Sequence, residues 1–143
     1  MALDQKQRPP NFVIEARIAD AIQAHTKENK LPCAQAFAIA EALGAHYLLI
    51  GQTADALEIH LSHCQLGLFG YPSGKGWVAT KLAERPTPEG LEQAIREATD
   101  QDGNLACARA WEIAAHFRIP KMQVGYVADK LGIHIAPCQL GAF

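Results

Sequence analysis

The sequence predicts a mainly helical fold with a small amount of β structure, built as two tandem copies of one unit. Residues 31–69 and 105–143 align without a gap at an offset of 74 (105 − 31), with 17 identities in 39 positions. Apolar residues recur at helical spacing, and a β-branched stretch closes each copy. Two copies are too few for a stacked solenoid, so we expect an intrachain pseudo-dimer. The identical residues of the first copy are Leu31, Cys33, Ala34, Ala36, Ile39, Ala40, Gly51, Ala54, Asp55, Leu57, Ile59, His60, Cys64, Gln65, Leu66, Gly67 and Phe69.

Three segments divide the chain. Residues 1–10 are polar and contain Pro9 and Pro10, so we expect a flexible tail. Residues 11–83 form the first unit, and residues 84–143 form a second unit that lacks the returning strand of the first. Units of about 70 residues are near the lower limit for a self-supporting core. We therefore expect the two units to pack on each other, and further oligomers are compatible with the sequence.

Composition limits the function classes. The chain is 49% apolar and 20% charged, as in ordinary soluble domains. It has no apolar run of membrane-spanning length, and residues 1–10 lack the apolar core of a signal peptide. We expect a cytoplasmic protein without a membrane partner. The net charge of −2 argues against a uniformly basic surface but leaves a local basic patch open.

Three helices are predicted in the first unit. Apolar residues at helical spacing predict a first helix over 12–26. Lys30 and Leu31 form a short extended piece, because the residue before a proline avoids the helical region. A second helix begins at Pro32 and ends at Gly44. A third follows over 47–57.

A β-hairpin is predicted after these helices. Residues 59–69 alternate in polarity, residues 71–76 form a turn, and residues 77–80 form the returning strand.

The second unit repeats most of this order. Thr87 is the expected cap of its first helix, with Pro88 at the first helical position. Helices over 106–117 and 121–131 repeat helices two and three. The closing strand, from residue 133 to Phe143, is expected to find a strand partner, because an unpaired apolar strand leaves an open edge.

The paired helices carry a recognisable pattern of residue types. A small residue, Ala40, allows two helices to cross closely, the turn residue Gly44 follows four positions later, and the branched Ile50 anchors the next helix. This pattern, with the order of elements, resembles the winged helix-turn-helix family over nearly the whole of each unit. The second copy keeps the small and branched residues, but Arg118 replaces the turn glycine.

The resemblance implies a DNA-binding or transcription-regulatory protein. In that family the third helix enters the major groove of double-stranded DNA and the hairpin contacts phosphates. Base reading favours Lys, Arg, Asn or Gln, and the first unit has no Lys or Arg between Lys30 and Lys75. The candidate nucleic-acid contacts are Lys75, Lys81, Lys121, Gln123, Tyr126 and Lys130.

Other functions stay open. Winged helices also bind proteins, so an adaptor of the same fold that contacts another protein is the alternative. It is favoured by the negative net charge and by the absence of Lys and Arg from the third helix of the first unit. No local pattern combines a nucleophile with a base, and residues 70–76 lack the phosphate-loop spacing. The sequence therefore predicts no enzyme.

The cysteines allow a third function, a metal or redox sensor. Cys33 and Cys107 lie in a predicted first helical turn, where a thiolate is favoured, although packing as small apolar residues is the preferred interpretation. A zinc or iron–sulfur site of four thiolates is the less favoured alternative, and otherwise no cofactor is expected. Its candidate ligands are Cys33, Cys64, Cys107 and Cys138.

A repeated tripeptide suggests where the units meet. Glycine permits close backbone approach and glutamine can satisfy backbone groups across a strand contact. We therefore predict an interface between the units formed by Gln65, Leu66, Gly67, Gln139, Leu140 and Gly141.

Overall fold

A computed structural model of the chain describes residues 8–71 and 75–142, except for the side chain of Lys75. The described part is mainly helical with a few short strands, which confirms the predicted fold class at that level. Its helices are α1 (Ala16–His25), α2 (Cys33–Leu43), α3 (Tyr47–Ala56), α4 (Lys75–Leu82), α5 (Leu91–Ala98), α6 (Cys107–Phe117) and α7 (Lys121–Lys130). Its strands are β1 (Lys30–Pro32), β2 (His60–Ser62), β3 (Asn104–Leu105) and β4 (His134–Ile135).

The chain divides into two compact units whose limits differ from those of the sequence repeats. The first unit comprises Met1–Cys64 and Gln139–Phe143, and the second comprises Gln65–Cys138. The predicted boundary after residue 83 is therefore displaced. The reason is that the end of each repeat packs in the unit built mainly from the other repeat.

The first unit is a three-helix core closed by a two-stranded sheet. Ile18 and Ile22, four residues apart on α1, are fully buried, and α1 packs against both α2 and α3. Strands β1 and β2 pair in parallel, with Leu31 opposite Leu61. Parallel pairing is possible because α2 and α3 together form the crossover between the strands.

The predicted hairpin is wrong. Within residues 59–69 only β2 is a strand, and residues 77–80 lie in helix α4. β2 finds its partner in β1, so it has no need of a returning strand. Val78 and Leu82 are buried at a helical spacing of four, and α4 packs against α7. The predicted turn at 71–76 includes residues 72–74, which lie outside the described residues.

The second unit has a similar plan around α5, α6 and α7. Its strands β3 and β4 also pair in parallel, with Leu105 opposite Ile135. The predicted closing strand therefore has a partner but ends at Ile135, and Phe143 lies outside the described residues. Thr87 does not cap α5, which begins after Gly90. Gly90 has a φ of 87°, a conformation that threonine disfavours.

The paired helices of the two units begin at the offset of the sequence repeat. Helices α6 and α7 begin 74 residues after α2 and α3 (107 − 33 and 121 − 47). The residue after each leading helix is left-handed: Gly44 has a φ of 62° and Arg118 a φ of 56°. The turn predicted at Gly44 is thus confirmed, and Arg118 adopts the conformation that glycine provides without strain.

Replacing Gly44 by alanine and Arg118 by glycine should have opposite effects on the free energy of unfolding. Gly44→Ala should lower the free energy of unfolding by about 1 kcal/mol, because a left-handed alanine is strained. The added methyl group would meet no atom within 4 Å. Arg118→Gly should raise it by up to about 1 kcal/mol, since the same strain is removed. Urea denaturation measures both, and a shift of the same sign in the two variants would contradict the explanation.

Candidate nucleic-acid interface

Three of the predicted contact residues are lysines held over aromatic rings in the second unit. The ammonium nitrogen of Lys121, the first residue of α7, lies 4.7 Å from the ring centroid of Trp111 on α6. That of Lys130 lies 5.4 Å from Tyr126, and that of Lys81 lies 5.5 Å from Trp77. A ring orients the ammonium group without neutralising its charge.

These lysines keep their charge available. Among residues 8–71 and 75–142, no salt bridge involves Lys81, Lys121 or Lys130. Lys81 and Lys130 are exposed, and Lys121 is half-buried. An ammonium group has three donors, so each lysine is able to donate to a phosphate. Trp77 also stacks on Tyr71, with ring centroids 4.8 Å apart and planes 5° from parallel.

The structure places two other predicted contact residues differently from the prediction. The side chain of Gln123 is 2% exposed, and its Nε2 donates to the backbone oxygen of Pro86 at 3.0 Å. The prediction that Gln123 reads bases is therefore wrong, because it lies with Val124 and Val127 on the buried face of α7. Lys75 begins helix α4 rather than occupying the tip of a hairpin.

The first unit lacks these cationic features. Tyr47 occupies the place of Lys121, and its ring packs 5.6 Å from that of Phe37, which occupies the place of Trp111. An aromatic pair thus stands where the second unit has a lysine over a ring. The acidic Asp55 on α3 pairs with Arg8 at 3.0 Å. Among the described residues, lysines held over aromatic rings therefore lie in the second unit.

The third helix of each unit is covered by a short segment of the chain. We call residues 65–67 the first QLG segment and residues 139–141 the second QLG segment. A Cβ built on Gly125 of α7 would overlap the carbonyl oxygen of Leu66, and one built on Gly51 of α3 would overlap that of Leu140. Only glycine allows backbone to approach a helix so closely.

Neighbouring contacts extend each covered face. A Cβ on Gly67 would lie 3.0 Å from Met122, and one on Gly141 would lie 2.8 Å from Leu48. Met122 and Gly125 are three residues apart and so share one face of α7; the same holds for Leu48 and Gly51 on α3. That part of each third helix is therefore closed to a DNA groove.

The QLG segments are not strands, contrary to the predicted strand contact. The first belongs to the second unit and the second belongs to the first unit. Leu66 and Leu140 are each 1% exposed and anchor the segments by apolar burial. Their role at an interface between units stays a prediction, whereas their packing within a unit is what the structure gives.

Each unit contains two of the four cysteines, Cys33 and Cys64 in the first and Cys107 and Cys138 in the second. Cys33 and Cys107 are the first residues of α2 and α6, as predicted, and all four cysteines are thiols. Within residues 8–71 and 75–142, no three His, Cys, Asp or Glu side chains are grouped closely enough to hold a metal ion.

Sequence reasoning missed the aromatic partners of the lysines. Two of these pairs, Trp77 with Lys81 and Tyr126 with Lys130, have the four-residue spacing that brings side chains together on a helix. That signal was readable for α7, and for α4 only once residues 77–80 are known to be helical. The third pair joins α6 to α7 and has no local signature.

In the described part of the chain no single helix is long and apolar enough to cross a bilayer, although α2 and α3 taken together meet that criterion across a bend of 117°.

Comparison with protein-family models, with curated proteins and with solved structures gives no match for this chain.

Proposed function

We propose that the protein is a DNA-binding regulator of the helix-turn-helix type whose second unit contacts the phosphate backbone. The supporting observation is the set of three lysines, Lys81, Lys121 and Lys130, each oriented by an aromatic ring and none paired with a carboxylate among the described residues. The protein would act in the cytoplasm and without a cofactor.

We also propose that the chain consists of two related units in tandem. The repeated bounds of the paired helices and the repeated parallel strands favour a duplicated helix-turn-helix forming a pseudo-dimer. We propose that the chain resembles the winged helix-turn-helix family in its helices. The hairpin is not part of the proposal, because residues 77–80 are helical.

Backbone contact is expected to dominate over base reading. Gln123 is buried, and the face of α7 at Gly125 is covered by Leu66. Phosphate contacts fix the position of a protein on a duplex but carry no direct sequence information. We therefore expect weak discrimination between sequences and an affinity that falls as salt rises.

The two tryptophans of the chain report on this surface, since each lies under one of the lysines. Trp111→Phe leaves only Trp77 as a fluorophore, and Trp77→Phe leaves only Trp111. On titration with a short random-sequence duplex at low salt, the fluorescence of both variants should change. With three phosphate contacts, a plot of log K against log salt should have a slope of roughly −2.7.

Substitution of single lysines sharpens the test. Lys121→Gln should weaken binding equally for all sequences and reduce the salt slope by about 1. Lys27→Gln in the first unit is the matched control and should change neither quantity. Absence of binding at the lowest salt, or a Lys121→Gln variant that binds like the parent, would exclude the proposed interface.

A protein-binding adaptor is the second candidate, favoured by the exposed apolar start of α3 in the first unit. In the first unit α3 has no lysine or arginine, and Leu48 at its start is 38% exposed beside the aromatic Tyr47. These features suit an apolar protein contact better than a phosphate. Failure to bind duplex DNA at any salt concentration would make the adaptor the leading function.

A further inference from the structure

The two cysteines of each unit lie at the same edge of its small sheet. In the first unit Cys33 follows β1 directly, and Cys64 lies two residues beyond β2. The strands are parallel and in register at their ends, with Pro32 opposite Ser62. Because parallel strands lie about 4.8 Å apart, the two cysteines lie close together just beyond the carboxyl ends of the strands.

A hydrogen bond fixes the same proximity in the second unit. The backbone nitrogen of Cys107 donates to the oxygen of Pro137 at 3.1 Å, and Cys138 is the next residue. Covalent bond lengths then limit the distance between the Cα atoms of Cys107 and Cys138 to roughly 7 Å. Disulfides join Cα atoms that are about 4.4–6.8 Å apart, so little or no backbone movement is needed.

We propose that Cys33 with Cys64, and Cys107 with Cys138, are two dithiol pairs that each form a reversible disulfide. The oxidant is a small-molecule disulfide such as oxidised glutathione. One cysteine thiolate attacks the reagent, forming a mixed disulfide and releasing one reagent thiol. The second cysteine then displaces the other reagent thiol. Each pair loses two protons and two electrons, and the reagent disulfide is reduced to two thiols.

Exposure predicts the order of oxidation. Cys33, Cys64 and Cys107 are each 8% exposed, whereas Cys138 is half-buried. Because exchange requires access of the thiolate to the reagent, Cys138 is the point of entry in the second unit. The pair in the second unit therefore oxidises before the pair in the first unit, where both thiols are buried.

The pairs lie where the chain leaves one unit for the other. The first unit is interrupted after Cys64, and the second unit ends at Cys138. Each disulfide thus forms a covalent link to the residue that immediately precedes a QLG segment, Cys64 or Cys138. Oxidation anchors the start of the segment that covers α7 or α3, which couples the redox state to the accessibility of both third helices.

Peptide mapping tests the pairing. The reduced protein should offer four thiols to an alkylating reagent, as all four cysteines are thiols. After incubation with oxidised glutathione it should offer none, and mass spectrometry should find Cys33 linked to Cys64 and Cys107 linked to Cys138. In a quenched time course the second link should appear first. Any other pairing, or glutathione adducts without internal disulfides, would overturn the proposal.

Serine variants provide the internal control. In Cys107→Ser the second unit should trap a glutathione adduct on Cys138, while the link between Cys33 and Cys64 forms as in the parent. Retention of that link shows that the first unit has folded, and an unchanged circular dichroism spectrum shows the same for the second unit. Should Cys107→Ser not fold, Cys138→Ser replaces it, because its side chain is the most exposed of the four. Either variant retains three cysteines and can form only one of the two links. A disulfide between the remaining cysteine of the second unit and Cys33 or Cys64 would refute the assigned pairs.

Discussion

Gly51→Ala is expected to destabilise the first unit by roughly 1–3 kcal/mol, the usual cost of overpacking. The sign is informative, because replacing glycine by alanine inside a helix ordinarily stabilises it by about 1 kcal/mol. Here the new Cβ would overlap the carbonyl oxygen of Leu140 and lie 2.8 Å from its carbonyl carbon. Urea denaturation should show a lower midpoint with an unchanged slope.

Removal of the covering segment provides the control. In a variant that lacks residues 139–143, Gly51→Ala should become neutral or stabilising, because the atoms it would strike are gone. Gly125→Ala should destabilise the second unit in the same way, since its Cβ would lie 3.0 Å from the carbonyl carbon of Leu66. Truncation at residue 138 should not rescue Gly125→Ala. An increase in stability for Gly51→Ala in the full chain would show that the second QLG segment does not rest on α3.

Leu140→Ala should cost about 2–5 kcal/mol, the range for truncating a buried leucine. The side chain is 1% exposed, and its loss leaves a cavity that the short segment beside α3 fills only in part. Leu66→Ala in the second unit is expected to have a similar effect for the same reason. Both are measured as changes in the free energy of unfolding by urea denaturation.

Leu48→Ala is the matched control, because this leucine also lies on the covered side of α3 but is 38% exposed. It should cost less than Leu140→Ala. A cost below about 1 kcal/mol for both Leu66→Ala and Leu140→Ala would mean that burial of these side chains does not hold the QLG segments in place.

The helices were predictable because their signals are local. Gly44 ends α2 as predicted, and the end of α1 at His25 lies next to the predicted end at Thr26. The strand pairing was not predictable from the same kind of signal. The partner of β2 is β1, which precedes it by 30 residues (60 − 30) with two helices between. Polar alternation in 59–69 indicated a strand but contained nothing about its partner.

The candidate site was predictable only in its charges. Lys121 and Lys130 were identified as lysines on the predicted third helix of the second unit, and both lie on α7. Gln123 was misread because a polar residue at a helix position gives no sign that its amide is buried against Pro86. The repeated Gly51 and Gly125 were visible, but the backbone they accommodate lies far away in sequence.

The exchange of the QLG segments determines the order in which the two units can be completed during synthesis. Gly51 meets Leu140, 89 residues later (140 − 51), whereas Gly125 meets Leu66, which has already been made (125 − 66 = 59). Contacts of such long sequence separation slow folding. As the chain emerges from the ribosome, the second unit has all its residues once Cys138 appears, but the first unit still waits for residues 139–142. The first unit, although most of it is translated earlier, is therefore completed after the second, and the face of α3 that Leu140 covers stays uncovered until then.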